Sequence, residues 1–407
     1  MSAPRRFPRL AVVSPFIDKS HGTERIVAEW ISQLAETFEI HVYSQSVADL
    51  DLSKITWHRI PKLPGPHLVN FLWWFVANHL SRALDRWIGN LRYDIVFSPG
   101  PNCLDADAIS VHIVFAAFLS KVRPELAFSK NPFPAWPRLL HRRLYYRLAV
   151  ALERRVYPKS QIQLILTSRR SAPELAEFYG RHEPFPLIET GIDRQAFNPT
   201  RRVALRREAR RTLGLGENDF AVLLIGNDWR KKGLLTLLEA ATRMPELPIR
   251  LLVVSSESQD LHQALHRGIF SAISARVLPL RRDVEFYYAA ADVYAGPSLE
   301  DTFALPVAEA MACGLPVIAS AAAGVSEIIT DGVDGLILSD PRDAAALEAM
   351  IRRLYENKDF RDRLGERAAE TTRKYTWENN GRELVAIFQE IMRRKSTGAT
   401  QTLTQES

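Results

Sequence analysis

Short runs of consecutive apolar residues alternate along this chain with stretches in which apolar residues recur every three or four positions. Leu10 to Pro15 (LAVVSP) is the first run and reads as a buried strand. From Thr23 onward Ile26, Val27, Trp30, Ile31 and Leu34 return with the helical period, and Glu39 to Ser44 is the next strand. Further strands are predicted at Tyr93 to Ser98 and Leu164 to Ser168, with SAPELAEFYG as a short helix after the latter. The pattern then starts again, with strands at Ala221 to Gly226, Ile249 to Ser255, Arg276 to Leu280, Val293 to Gly296 and Leu315 to Ala319, and a helix from Ala344 to Tyr355. Strands alternating with helices predict doubly wound parallel sheets, here twice over. A last helical stretch, TRKYTWENNGRELVAIFQEIMRR, precedes the polar segment 396–407, which is expected to be disordered.

Two stretches break this rhythm. Between residues 60 and 90 lies LVNFLWWFVANHL, too short to span a bilayer and flanked or interrupted by His67, Asn70 and Asn78. It reads either as a core helix or as a surface facing a membrane or a lipid acceptor. Between Phe115 and Lys159 the chain turns basic: Lys121, Arg123, Lys130, Arg138, Arg142 and Arg143 lead a run that faces only Glu125 and Glu153. Pro132, Pro134 and Pro137 mark a loop, and Pro137 can open the helix WPRLLHRRLYYRLAVALERRVY. Leu140, Leu144, Leu148 and Leu152 would line one side of it and arginines another. That is either a solvated face over an ordinary packed helix or a surface for an anionic membrane or acceptor.

Composition narrows the partners. At 407 residues the chain has room for two or three domains, and its net charge of +6 favours anionic partners such as nucleotides or phosphorylated lipids. No helix-turn-helix, RNA-recognition or zinc-finger pattern accompanies the charge, which argues against nucleic acid. Cys103 and Cys313 are the two cysteines, far apart and without metal-ligand spacing, so neither a disulfide framework nor a metal site is indicated. The segment MSAPRRFPRL lacks the apolar run of a signal peptide, so a cytoplasmic location is expected.

The densest chemistry lies in PSLEDTFALPVAEAMACGLPVIASAAAGVSE, Pro297 to Glu327. An acidic loop with Glu300 and Asp301 runs into Pro306, suited to the first turn of a helix, and Gly314 is placed to stop that helix. The helix start at Phe303, Ala304 and Leu305 concentrates free N–H groups and the positive dipole end, which suits a diphosphate. Asp301 before the helix and Glu309 inside its first turn would then flank that anion and accept hydrogen bonds from hydroxyls. An anion joined to polyols is the chemistry of a sugar nucleotide.

Asp301-x7-Glu309 followed by AMACGLPVIAS closely resembles the signature of the retaining family 4 glycosyltransferases of the GT-B fold, with Asp301 where Glu is usual and Ala304 where Gly is usual. LIETGIDRQAFNPT resembles the family's interdomain segment, through Gly191, Asp193, Phe197 and Pro199. NDWRKKGLLTLLEAA resembles its basic loop, in which Lys232, reinforced by Lys231, neutralises the donor diphosphate. GTER resembles its first loop, where Gly22 lets backbone approach the diphosphate, and ISVHIVF places His112 where the family's histidine meets a hydroxyl of the donor sugar.

The resemblance implies an α/β fold of GT-B type, with two facing Rossmann-like domains and a C-terminal helix crossing back to the first. The domains would be 1–188 on the acceptor side, 189–374 on the nucleotide-sugar side, and 375–395 for the returning helix. Implied too are metal-independent transfer without a cofactor, Glu309 on the ribose hydroxyls, Asp301 and His112 as the catalytic pair on the transferred sugar, and a glycan or lipid-linked acceptor, as in polysaccharide or lipopolysaccharide synthesis, at the inner face of a membrane. A nucleotide-sugar epimerase of the same fold, and a non-catalytic membrane-associated binding module, are the alternatives. Arg201 to Arg211 reads as a solvated linker or helix face.

Overall fold

The computed structural model describes residues 7–19, 22–123, 126–128, 133, 136–256, 259–265, 270–271 and 273–405. Glu125, Lys130, Pro132 and Pro134, read above as part of a basic, proline-marked loop, lie outside the described residues. The chain divides into two compact units, residues 1–189 with 377–407, and residues 190–376.

The first unit holds strands β1 (Arg9–Val13), β2 (Phe16–Ile17), β3 (Glu39–Ser44), β4 (Ser46–Val47), β5 (Ile55–Arg59), β6 (Ile95–Pro99), β7 (Ala108–Val111) and β8 (Gln163–Leu166). Six of these form a sheet of order β5-β3-β1-β6-β7-β8, and β2 pairs with β4 in a short ribbon. Every pairing in the sheet is parallel, with Val12 opposite Val42 on one side and Phe97 on the other. Alternate residues of β1 feed two different cores. Leu10 and Val12 pack with Trp30, Phe38 and Phe388, while Ala11 and Val13 pack with Trp74 and Tyr157. A sheet buried on both faces accounts for the uninterrupted apolar runs.

The second unit repeats the plan with β9 (Phe220–Ile225), β10 (Ile249–Val254), β11 (Ala275–Leu278), β12 (Val293–Gly296), β13 (Val317–Ser320) and β14 (Leu336–Leu338), in the order β11-β10-β9-β12-β13-β14. Renumbered within each sheet, both orders read 3-2-1-4-5-6, the doubly wound arrangement.

Helix Trp377–Gln405 belongs to the first unit, where Trp377, Leu384, Phe388 and Ile391 complete the core around Trp30. Of the segment 396–407, expected to be disordered, residues 396–405 instead continue the helix, and 406–407 lie outside the described residues. Ser396 Oγ and Thr397 Oγ1 donate to the carbonyls of Met392 (3.0 Å) and Arg393 (2.9 Å), so their hydroxyls find partners within the helix.

The arginine run is not a solvated linker. Asn198 caps helix Pro199–Thr212 by accepting from the Arg201 N–H at 2.8 Å. Arg202, Arg206 and Arg210, spaced one turn apart, all face inward to the chain around Ala291. Arg202 donates to the carbonyls of Gly314 and Ala291 (both 3.1 Å), and Arg206 and Arg210 share the Asp292 carboxylate. Burial lowers the Arg202 guanidinium to about 10.

Helix His67–Trp87 also departs from a core helix. Its buried side chains are Asn70, Trp74, Asn78 and Arg82, and most of its aliphatic residues face outward. The inward polar groups are matched to specific partners. Asn70 exchanges two hydrogen bonds with Gln45 (3.0 and 3.1 Å), and Arg82 reaches Asp105 through two nitrogens (2.6 and 2.9 Å). In helix Trp136–Val156 the same inversion is partial. Leu152 is buried as expected, whereas Leu140 and Leu144 are exposed.

Candidate functional site

In a doubly wound sheet the ligand end is where the strand order reverses, at the carboxyl ends of the central pair. In the second unit that is the pair β9 and β12. The loop after β9 carries Lys231 and Lys232, and the loop after β12 carries Asp301. They are tied together by the Leu299 N–H donating to the Lys231 carbonyl at 2.7 Å and by an ion pair between Lys232 Nζ and Asp301 Oδ2. Gly233 (φ 78°) caps the helix Leu234–Thr242, and a Cβ built there would collide with the Pro297 carbonyl, so glycine is what lets the two loops close up. Lys231 is exposed and has Asp228 at 3.8 Å, so its charge is the freer of the two.

The Asp301 loop is stapled from its other side. Gly324 N–H donates to the Asp301 carbonyl (3.1 Å) and Val325 N–H to the Phe303 carbonyl (2.7 Å), and a Cβ at Gly324 would strike the Thr302 carbonyl. Asp301 Oδ1 accepts from the Ala304 N–H at 2.9 Å. Ala304 sits in the left-handed region (φ 67°, ψ 59°) immediately before helix Leu305–Ala312, with Pro306 in its first turn and Gly314 (φ 69°) just past its end. An alanine there costs roughly 1 kcal/mol that glycine would not. Phe303 and Ala304 are themselves buried, with the Phe303 carbonyl and the Ala304 N–H already engaged by Val325 and Asp301.

The structure corrects the placement of Glu309. Because Ala304 is left-handed, the helix starts at Leu305 and Glu309 falls in its second turn, not its first. There it is buried and accepts a hydrogen bond from the Tyr288 hydroxyl at 2.8 Å. Burial beside Glu309 pushes the Tyr288 phenol well above its ordinary range. Tyr288 carried no motif; its partner became visible only in the fold.

The first unit presents a cavity of about 250 Å³ at its own reversal point, between β1 and β6. Ser14 and Phe16 after β1, Gly100 and Asn102 after β6, and His112 after β7 line it, with Asn70 and Tyr145 from the two long helices. His112 is buried. Its Nε2 lies 3.0 Å from Ser110 Oγ, its Nδ1 has no hydrogen-bond partner among the described residues, and burial lowers its ring to about 4. It is therefore a neutral imidazole at neutral pH. Gly22 opens helix Gly22–Leu34 with open space where a Cβ would stand. Its neighbours Thr23 and Glu24 line the cavity, and Gly22 does not. Asp107 precedes β7 at the opposite end from His112 and is held by the Val96 N–H (2.8 Å) and Lys395 (3.0 Å), a structural role.

The loop after His112 is positioned by Glu153, which the sequence did not single out. Its buried carboxyl accepts from the N–H groups of Phe115 (2.7 Å) and Ala116 (3.1 Å), capping helix Phe115–Val122, and from the Tyr179 hydroxyl. Burial pushes it up to about 7 against those donors. Both cysteines are buried and free, with thiols raised to about 12 by burial. Among the described residues no group of three or more His, Cys, Asp or Glu is placed to hold a metal ion, and no described helix is long and apolar enough to cross a membrane.

Two doubly wound units of one strand order, one with a basic loop and a helix start at its reversal point, define an α/β protein of two Rossmann-like domains. Family matches are specific. The family described as Glycosyltransferase Family 4 matches residues 20–196, and that described as Glycosyl transferases group 1 matches residues 206–371. The chain belongs to the family 4, group 1 glycosyltransferases, with the GT-B fold. Among curated relatives, the D-inositol 3-phosphate glycosyltransferase of Xylanimonas cellulosilytica is 29% identical over 57% of this chain and 58% of its own. That of Geodermatophilus obscurus is 33% identical over 56% and 52%. The chain thus spans little more than half the length of these relatives. Among solved structures, WaaG, a glycosyltransferase involved in lipopolysaccharide biosynthesis, has a TM-score of 0.77 at 20% identity, covering 93% of this chain and 99% of that one. HepE of Anabaena, in complex with UDP and glucose, has a TM-score of 0.70 at 18% identity, with 94% and 99% covered. At such identities these two share the fold.

Proposed function

We propose that the protein transfers a sugar from a nucleoside-diphosphate sugar to a glycan or lipid-linked acceptor, with retention of anomeric configuration. The observation that carries this reading is the stapled Lys232–Asp301 pair beside the helix start at Leu305. A fixed cation beside the positive end of that helix suits a diphosphate, and a carboxylate one loop away suits sugar hydroxyls. The UDP and glucose bound by HepE, and the sugar-transferring relatives, support the same donor class.

In this scheme Lys232, with Lys231, neutralises the diphosphate, without a metal. Asp301 holds hydroxyls of the transferred sugar, and Glu309 those of the ribose. His112, which the resemblance put on the donor sugar, lines the first unit's cavity; we assign it instead, as a neutral imidazole, to accept a hydrogen bond from a hydroxyl of the acceptor held in that cavity. The bond from the anomeric carbon to the diphosphate oxygen breaks. The acceptor oxygen bonds to that carbon on the same face, and its proton passes to the departing diphosphate. The products are a glycoside and a nucleoside diphosphate.

The test is release of nucleoside diphosphate from a panel of sugar nucleotides with and without acceptors, with the product's anomeric configuration read by NMR. Absence of calorimetric affinity for every sugar nucleotide and nucleoside diphosphate overturns the enzyme reading. An inverted product overturns retention alone, and an acceptor-independent change of the sugar nucleotide points to an epimerase.

A further inference from the structure

Helix His67–Trp87 is inside out. On its buried side stand Asn70, Asn78 and Arg82 around Trp74, and on its exposed side stand Val69, Leu72, Val76, Leu80, Leu84 and Trp87. The exposure is substantial: 53% for Val76, 56% for Leu80, 53% for Leu84 and 90% for Trp87, with Ile88 continuing the face at 78%. These positions advance by three or four residues, so they form one stripe along the helix, about 30 Å long at 1.5 Å per residue. A soluble helix turns this stripe inward. A contiguous apolar face left outside marks a surface that meets something apolar.

The charges around the stripe say what. Asp85 is the sole acid of the helix, and it is engaged by Tyr43 and by His58 at 3.0 Å. Lys62 precedes the helix, and Arg86 and Arg92 stand exposed at its far end. The neighbouring helix Trp136–Val156 touches it through His67–Tyr145 and Phe71–Tyr145 ring contacts (5.2 and 5.9 Å). One residue from those contacts it exposes Leu144, and around it Leu140, Arg138, Arg142 and Arg147. An apolar stripe with an aromatic end and a fringe in which free cations outnumber the acids, Asp94 and Asp105 being tied to the Arg9 N–H and to Arg82, is complementary to an anionic lipid surface. The helix is not long and apolar enough to cross a membrane, so lying along the interface is the way such a stripe can meet a bilayer.

We propose that the stripe from Val69 to Ile88 is a membrane-docking face that seats the first unit on an anionic bilayer. The docked helix also lines the cavity with His67, Asn70 and Phe71, so the cavity opens from an element held at headgroup depth. Resting on the reading of that cavity as the acceptor site, the acceptor is then an amphiphile whose tail stays in the bilayer while its polar head enters the cavity.

The test of docking needs no substrate and so stands apart from the activity. Full-length protein is floated with vesicles of phosphatidylcholine alone or mixed with phosphatidylglycerol, at low and high salt. We expect binding to the anionic vesicles that weakens with salt, and a loss of at least about tenfold in Val76→Glu/Leu80→Glu/Leu84→Glu with its thermal melt unchanged. Arg86→Gln/Arg92→Gln should weaken binding to anionic vesicles specifically. Brominated lipid should quench tryptophan fluorescence in the wild type, and Trp87→Phe should remove part of that quenching. Absence of vesicle binding, or binding that the triple variant retains, overturns the proposal. So does a dimer in solution that the triple variant dissociates, since a second copy would then be the occupant. Docking without transfer to a lipid-linked acceptor would leave the surface standing and remove the acceptor assignment.

Discussion

The two sheets share one strand order, yet the ends of their central strands are furnished differently. At the second unit's reversal point, charge and glycine dominate. Lys232 is ion-paired to Asp301, and Gly233 and Gly324 let carbonyls of Pro297 and Thr302 approach where no side chain could fit. At the first unit's reversal point there is a cavity with a neutral lining for the most part, including His112, Asn70, Asn102 and Tyr145, and Gly100 there has open space around it. A diphosphate presents the same charges whatever sugar it carries, so a site for it is served by one stiff arrangement. A cavity for a variable polar head can be built from many residue sets. The first kind of site leaves a motif in the sequence; the second leaves shape.

The largest effect that would break this contrast is on the charged end. Lys232→Ala should lower donor-dependent release of nucleoside diphosphate by about 10²–10³-fold, through donor affinity and turnover. His112→Gln, removing one neutral hydrogen bond, should lower acceptor-dependent transfer by up to about tenfold and leave calorimetric donor affinity unchanged. If the two variants show the same profile, the division of labour is wrong.

Next in size is the glycine comparison. Gly233→Ala meets both a left-handed backbone and the Pro297 carbonyl, and should cost about 2–4 kcal/mol in denaturant unfolding. Gly100→Ala also has positive φ (82°) but nothing near it, and should cost only about 1 kcal/mol. Equal losses would mean that the second unit's loops are not packed as described.

Within the first unit two buried groups should tilt stability against pH in opposite directions. His112 is lowered from 6.5 to about 4, so between those values the unfolded chain holds a proton the folded one lacks, and its contribution grows as pH rises. Glu153 is raised from 4.5 to about 7, so across that window the folded chain keeps a proton the unfolded one has lost, and its contribution fades as pH rises. Each slope can reach about 1.4 kcal/mol per pH unit. Urea melts of His112→Gln should lose the rising component and those of Glu153→Gln the falling one. Smallest is Ala304→Gly, which relieves the left-handed alanine and should gain no more than about 1 kcal/mol by the same melts.

What could be read from the sequence follows the same divide. Uninterrupted apolar strands announced both sheets because burial on two faces leaves no alternation to confuse with a surface. Gly314 was legible because the end of a helix demands it within a few residues, whereas Lys232 and Asp301, 69 residues apart, were singled out by the family resemblance. Helix His67–Trp87 was not, since hydropathy reports that a helix is apolar and not which side faces out; only the every-fourth-residue row Asn70, Trp74, Asn78, Arg82 hinted at its inner face. Arg202, Arg206 and Arg210 likewise read as solvated charge because their carbonyl partners lie about 80 residues or more away. Glu309's second-turn position depended on the conformation of Ala304, which residue identity would have argued against.

The return of the last helix to the first unit has a consequence for biosynthesis. The second unit, residues 190–376, is one unbroken segment and can close as soon as it leaves the ribosome. The first unit is made earlier but lacks Trp377, Leu384, Phe388 and Ile391 until much later. Through that interval the apolar faces of Trp30, Phe38 and Phe97 stay uncovered, so the nascent N-terminal half is the stretch on which chaperones and proteases have the longest opportunity to act.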